Sequence, residues 1–356
     1  MTLYLTLFFG VSLFGWYSNR HNYKKFNKGF FVIVLLILTF FVGLRDVVVG
    51  ADTTNYIDYF DNLNLSNFNN FNIEIGFKFY NLFFNSFIYS YQVFFLITAF
   101  FTFYGFMRFI KDNSFIPWLS MIVLIAMFFL PSMNLMRQWL AMSIGLNMFQ
   151  LLDKKKYLLA FLLLIFAVLI HNTAIVLIIL PILFIMKKSK INLIISIIII
   201  SIFTIFFDQI FSLILIYLPE HYYEYIFNPF FINQGEMNIK TIAFLIVSIG
   251  MLFIVYRNKN QLKLEGYFDK AYIFLILSIF GVAVTYLGQY YYMLHRLGYY
   301  ITAFYIVSFV NMIHYLKRYR SWLYFMMILS VLVIYIYTLL ADNNSIVPYI
   351  LKPILI

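Results

Sequence analysis

The sequence predicts an all-α polytopic membrane protein, and three observations predict it. Only 11% of the 356 residues are charged and 64% are hydrophobic, whereas soluble domains carry about 25% charged residues. Apolar runs follow one another, separated by short charged breaks, as membrane helices of about 17–25 residues require. The segments of about ten residues with alternating polarity that a transmembrane barrel would need are absent. Cysteine is absent too. That excludes thiol nucleophiles, thiolate metal sites and disulfides, and leaves the fold to packing.

About twelve spans follow from this pattern: 2–17, 29–44, 92–107, 115–131, 135–151, 157–170, 173–186, 191–218, 240–256, 270–287, 297–315 and 321–341. The run from Met1 to Tyr17 reads as a retained helix rather than a signal peptide. Its basic residues follow the apolar stretch, and no small-residue cleavage site closes it. Several spans fall short of about 20 residues, so tilt or local bilayer thinning is expected. The run 191–218 is overlong and broken by Asp208, which suggests a kinked or lengthened helix. No repeat of fixed period is evident, and the expectation is one transmembrane domain over 1–356.

Two outer segments are long, 45–91 and 219–240. In the first, "IEIGFKFYNLFFNSFIYSY" (73–91) is apolar on much of its surface yet carries Glu74 and Lys78 four residues apart. That spacing suggests a helix lying on the membrane surface or dipping into it. The second, "PEHYYEYIFNPFFINQGEMNIK", mixes aromatics with acids and also suits the headgroup region.

The formal net charge of +11 resembles a nucleic-acid signal until it is mapped. The basic clusters lie at Arg20 to Lys28, Arg108 and Lys111, Lys154 to Lys156, Lys187 to Lys190, Arg257 to Lys270, and Lys317 to Arg320. They fall at every second break, as cytoplasmic loops demand, so the charge is mostly a topology signal and both termini are expected outside. The cations left on the outer side are Arg45, Lys78, Arg137, Lys240, Arg296 and Lys352. Three of these are arginines at span ends, held against the bias that sets topology.

A guanidinium is a planar fork of donors that suits phosphate and carboxylate. Arg45 sits in "GLRDVVVGADTTNYIDYF" (43–60), Arg137 in "PSMNLMRQWLA" and Arg296 in "YYYMLHRLGYY". Three converging near the outer leaflet would hold a lipid-linked phosphate or pyrophosphate. The plainer alternative is snorkelling, or pairing with Asp46, Asp52 or Asp208. Asn134, Arg137 and Gln138 have i, i+3, i+4 spacing and would share one helical face, with Pro131 letting that helix restart. His171, in "FAVLIHNTAIVL", lies at a tight outer turn where it could accept a proton or bond a hydroxyl or phosphate. Thr173 could cap the helix that follows, and His295 beside Arg296 is open to the same readings as His171. Asp52, Asp58 and Asp61 form no Asp-x-Asp pair, and no Walker loop or Gly-x-Gly-x-x-Gly turn occurs. No metal or nucleotide cofactor is expected.

Five motifs occur in a fixed order: "GLRDVVVGADTTNYIDYF" with "IEIGFKFY", then "MNLMRQWLAMSI", "VLIHNTAIVL" and "LHRLGYYI". Together, over roughly residues 30 to 310, they resemble the EpsG family of bacterial exopolysaccharide membrane proteins, which is grouped with Wzy-type O-antigen and capsule polymerases. Arg45, Gly50, Asp52 and Tyr56 look like the family's first outer motif. The resemblance implies a glycosyltransferase of the bacterial cytoplasmic membrane with its active site facing outward. It would polymerise repeat units carried on undecaprenyl pyrophosphate, by inverting, metal-free transfer. The implied architecture is similar to GT-C enzymes and O-antigen ligases, with a lipid-open cavity capped by outer loops. Implied partners are the lipid-linked donor and acceptor, membrane lipid, and chain-length-regulator and flippase proteins, and no nucleic acid. On this reading Arg137 and Arg296 hold the pyrophosphate and Arg45 assists or orients Asp52. His171, then Asp52, would contact the acceptor hydroxyl, with Asn134, Gln138, Tyr56, His295 and Tyr292 (among Tyr290 to Tyr292) binding substrate. The rivals are a flippase of the same lipid-linked oligosaccharide and a polysaccharide ligase. A flippase would be expected to carry mid-membrane charges and an internal repeat, and neither is seen.

Overall fold

A helix with apolar side chains on every face has no side to offer water, and in lipid its backbone groups must all be bonded internally. The computed structural model describes residues 1–20, 26–215, 239–316, 320–342 and 345–352. Among them regular structure is helical, with one isolated bridge between Arg45 and Leu351. Large apolar side chains point outward along whole helices, for example Leu158, Phe161 and Phe166, or Ile191, Ile198 and Ile199. Among the described residues five helices are long and apolar enough to cross a membrane. They are Tyr91–Asn113, Lys240–Arg257, Phe268–Leu287, Leu294–His314 and Trp322–Ala341. A sixth is added if the bent pair Lys190–Ile205 and Phe207–Leu213 is one span, and four shorter apolar helices accompany them. The chain is a helical, multi-pass membrane protein.

In chain order the helices are α1 (Thr2–Asn19), α2 (Lys28–Gly43), α3 (Thr53–Asn62), α4 (Ile75–Asn85), α5 (Tyr91–Asn113), α6 (Pro117–Leu124), α7 (Leu130–Ser132), α8 (Met136–Leu146), α9 (Met148–Asp153) and α10 (Tyr157–Ile170). Then come α11 (Ile179–Ile185), α12 (Lys190–Ile205), α13 (Phe207–Leu215), α14 (Ile239–Arg257), α15 (Lys259–Leu264), α16 (Phe268–Leu287), α17 (Tyr292–Thr302), α18 (Tyr305–His314) and α19 (Arg320–Ala341). The chain packs as two compact units. One comprises Met1–Ile175 with Leu316–Ile356, the other Val176–Tyr315.

In the first unit α2 and α8 pack along α5, and α10 packs along α8. Phe77, Phe94, Phe103 and Phe129 fill the space between and are fully buried. The expected span 115–131 forms, but a π-helical turn at Ile125–Phe129 interrupts it. Such a turn offsets the backbone ladder, and the buried indole of Trp139 donates to the Phe128 carbonyl at 2.7 Å. The expected span 135–151 divides into α8 and α9 at Asn147. That side chain donates to the carbonyls of Gly105 and Ser143 at 2.9 and 2.7 Å, the local competition that disfavours asparagine inside helices. After α10 the chain runs as a 3-10 helix, Asn172–Ile178, before α11. A 3-10 segment rises about 2.0 Å per residue, which lengthens an otherwise short span.

Residues 345–352 are strapped against the loop that follows α2. Gly50 N donates to Ser345 O at 2.8 Å, Asp46 N to Ile350 O at 2.9 Å and Lys352 N to Leu44 O at 2.9 Å. The hydroxyls of Tyr4 and Tyr349 add bonds to the carbonyls of Ile346 and Phe41.

In the second unit the overlong run is kinked, as Asp208 suggested. α12 and α13 meet at 74°, with Asp208 in the first turn of α13 accepting from the hydroxyl of Tyr291. Polar clamps join the remaining helices. Tyr305 Oη donates to Ser278 O at 2.8 Å, Gln289 Nε2 to Thr241 Oγ1 at 2.6 Å and Asn311 Nδ2 to Tyr267 Oη at 2.6 Å. Of the outer segment 219–240, all but residues 239 and 240 lie outside the described residues.

Candidate functional site

The loop after α2 carries the first outer motif, and one glycine lets it settle on the break before α8. Gly50 has φ +91°, a region open to glycine at little cost, and a Cβ there would lie 2.8 Å from the Met133 carbonyl oxygen. With the loop lying this close, Asp52 N donates to Asn134 Oδ1 at 2.7 Å. Asn134 therefore belongs to the break between α7 and α8 and not to the face of α8 that its spacing suggested. Pro131 shapes that break, its carbonyl accepting the amides of Asn134 and Leu135 at 3.1 and 2.9 Å.

A second glycine brings in the surface helix. At Gly76 a Cβ would lie 2.6 Å from the Leu169 carbonyl oxygen, so the start of α4 rests directly against the end of α10. This places Glu74, the N-cap of α4, between Arg137 in the first turn of α8 and His171 at the end of α10. Arg137 Nη1 donates to Glu74 Oε2 at 2.5 Å, while His171 Nδ1 contacts Glu74 Oε1 at 2.6 Å. The Asn172 amide donates to the same oxygen at 3.3 Å. One carboxylate thus ties together three segments far apart in sequence. A helix forms at Ile75–Asn85, but Glu74 and Lys78 do not pair: Lys78 Nζ donates to the Phe68 carbonyl at 2.7 Å.

Aromatic rings wall this cluster. The Arg137 guanidinium carbon lies 5.8 Å from the Tyr59 ring centre and 5.7 Å from that of Phe77, within cation–π range. The buried Tyr56 hydrogen-bonds with Arg137. Burial pushes the Tyr56 phenol up, and Arg137 opposes the shift. Burial alone would also raise the Glu74 carboxyl, but the His171 hydrogen bond and the Arg137 charge overcome it and hold it at about 2. A depressed carboxylate stabilises the fold in full above its unfolded value of about 4.3, and the contribution is lost as pH falls through about 2. Glu74 therefore stays ionised throughout the neutral range. When the proton of His171 is on Nδ1, that nitrogen donates to Glu74 and Nε2 keeps the ring's lone pair.

The remaining candidates fall elsewhere. Arg45 is fully buried, donates to the Val42 carbonyl and to Thr53 Oγ1 at 3.2 Å, and stacks 4.5 Å over Phe95. Those partners make it a brace between the end of α2 and the start of α3. Gln138 is buried, one residue beyond Arg137. His295 and Arg296 belong to the second unit, in the first turn of α17, where His295 Nε2 lies 3.1 Å from Tyr299 Oη. Tyr292 begins that helix. Asp58 accepts from Asn62 Nδ2 at 2.6 Å. Among the described residues no three His, Asp or Glu side chains gather as metal ligands do. Sequence reasoning missed Glu74 as a site residue, along with Tyr59 and Phe77. The available signal was an acid followed by glycine at the head of an apolar helix.

No curated protein and no solved structure matches the chain. The model of the EpsG family matches residues 28–351, a range that contains every residue of the cluster. The chain belongs to the EpsG family, and is by that membership an exopolysaccharide-related membrane protein.

Proposed function

We propose that the protein is a polysaccharide polymerase that joins repeat units carried on undecaprenyl pyrophosphate at the outer face of the bacterial cytoplasmic membrane. The observation that carries this reading is the Glu74–Arg137–His171 cluster, assembled from three of the motifs that mark the family. In the reaction an acceptor hydroxyl oxygen bonds to the anomeric carbon of the donor as the carbon–oxygen bond to pyrophosphate breaks, with inversion. The leaving group gains negative charge in the transition state, and a fixed guanidinium in a water-poor site stabilises that charge. Arg137 commits one Nη to Glu74, which fixes the orientation of its fork toward the pyrophosphate. His171, anchored through Nδ1, presents Nε2 to the acceptor hydroxyl and receives its proton or orients it. Asp52, Asn134 and Tyr56 line the acceptor side.

The reading carries with it about twelve spans and a GT-C-like or ligase-like cavity open to lipid. In this topology Lys154 to Lys156 face the cytoplasm, and Asp52, His171 and Asp342 face outward. The chain has no cysteine, so single cysteines report directly. A cysteine at position 155 is expected to resist an impermeant maleimide in intact cells, and one at position 52 to react. Labelling of position 155 from outside would overturn the orientation.

Activity has its own test. Purified protein in liposomes should extend undecaprenyl-pyrophosphate-linked repeat units into long chains in the presence of a chelator. Extension that stops on chelation and returns with a divalent ion would refute metal-free transfer and turn attention to Asp52, Asp58 and Asp61. Transfer of finished chains to a terminal acceptor, without elongation, would favour a ligase.

A further inference from the structure

A cavity of about 370 Å³ lies within the first unit, among α4, α5, α8 and α10. That is the size of a pocket for a small organic ligand, about 300–1,000 Å³. Its outer end is lined by Tyr80 and Ile170; Ile170 directly precedes His171. Along α8 it is lined by Leu140, Ile144 and Asn147, which follow Arg137 at i+3, i+7 and i+10 and so continue the face that carries the guanidinium. From Leu140 to Asn147 the lining spans about 10 Å, and the exposed Arg108 lies at its inner end. Exposed Phe101, Tyr104 and Phe166 line it as well, so it opens sideways to lipid.

Three polar side chains of this lining are already engaged within the first unit. Tyr80 Oη bonds Thr98 Oγ1 at 3.0 Å, Ser143 Oγ donates to Leu140 O at 2.9 Å, and Asn147 donates to Gly105 O and Ser143 O. Apart from Tyr104 and, at the inner end, Arg108, what remains for an occupant is apolar surface. Such a cavity, with Arg137 one helical turn beyond its outer end and a bilayer-facing side, suits one long hydrocarbon chain whose head group is anionic.

Building on the polymerase reading, we propose that this cavity holds the head-proximal isoprene units of the carrier lipid while its pyrophosphate lies at Arg137. A single-chain polyprenyl diphosphate fits one cavity below one cation. A phospholipid must place a second chain elsewhere. The cavity thereby sets the depth of the donor, and it fixes the anomeric carbon beside His171.

The test uses the full chain in phosphatidylglycerol–phosphatidylethanolamine liposomes and a polyprenyl diphosphate bearing a diazirine in its head-proximal units. Irradiation should give adducts on α5, α8 or α10, reduced about tenfold by excess undecaprenyl pyrophosphate and unchanged by added phosphatidylglycerol. Ile144→Trp and, from α10, Leu163→Trp should each remove those adducts at wild-type membrane abundance. They should also raise the KM for the undecaprenyl-linked donor about tenfold. Adducts confined to other helices, or equal competition by phosphatidylglycerol, would overturn the proposal, as would unchanged KM values in both tryptophan variants. Cavity adducts without any polymer from repeat units would keep the lipid site and reject the polymerase; polymer formation with no cavity adducts would do the reverse.

Discussion

Arg137→Ala is expected to abolish long polymer while the protein remains in the membrane, a loss of about 10²–10³-fold by comparison with removal of a single oxyanion donor elsewhere. Arg137 is the cation whose fork is fixed by Glu74 and walled by Tyr59 and Phe77. Its side chain is still 20% exposed, so an anion can reach it. Arg137→Lys should recover little. An ammonium is a point charge without the planar fork, and it could not serve Glu74 and a pyrophosphate with the same fixed geometry. Polymer length on gels, measured beside membrane abundance, checks both variants. Normal chain length in Arg137→Ala would remove the guanidinium from the mechanism.

Glu74→Gln is expected to be nearly as severe, although glutamine keeps the shape and one acceptor oxygen. The carboxylate is 9% exposed and contacts two partners, so the variant leaves Arg137 without its counter-charge and His171 without its anchor. If His171 acts as a proton acceptor, its loss should cost about 10²–10⁴-fold, and Glu74→Gln should approach the same figure. Because both residues act through one carboxylate, the double variant with His171→Gln should be little worse than the more severe single variant, the mark of coupled neighbours. Effects that multiply would show that Glu74 and His171 act separately. Glu74→Ala should also lower the amount of folded protein, since removing one partner of a buried pair costs about 3–5 kcal/mol.

Helices set by a clean apolar run were legible in the sequence. The expected span 157–170 coincides with α10, and the kink at Asp208 announced itself by its charge. Breaks inside apolar runs were not legible, because the residues that make them are not charged. Asn147 ends α8 by bonding backbone carbonyls, and the π-turn before Pro131 is offset by an indole that only tertiary packing brings near. The site was half visible. Arg137 and His171 stood out as polar residues at span ends. Glu74 was hidden by Lys78 four residues on, which offered a local partner that the fold does not use. Arg45 was conspicuous for the same reason as Arg137, yet Val42, Thr53 and Phe95 enclose it. Sequence position cannot distinguish an arginine that braces a loop from one that is tied to a distant carboxylate.

The strap formed by residues 345–352 has a consequence for biosynthesis. The loop bearing Gly50 and Asp52 obtains three of its backbone partners from residues made long after it, and Tyr349 reaches a carbonyl 308 positions away. Closing so long a loop is not much dearer than closing a short one, since each doubling adds about 0.6 kcal/mol. Its effect is one of order. While the chain is being threaded into the bilayer, α2 and α3 emerge early, yet their connecting loop has no partner to hold it against the break before α8. Only after α19 has been inserted can the strap arrive. The loop that carries Asp52 is therefore the last part of the first unit to take shape, and an unfinished chain in the membrane holds it without its strap.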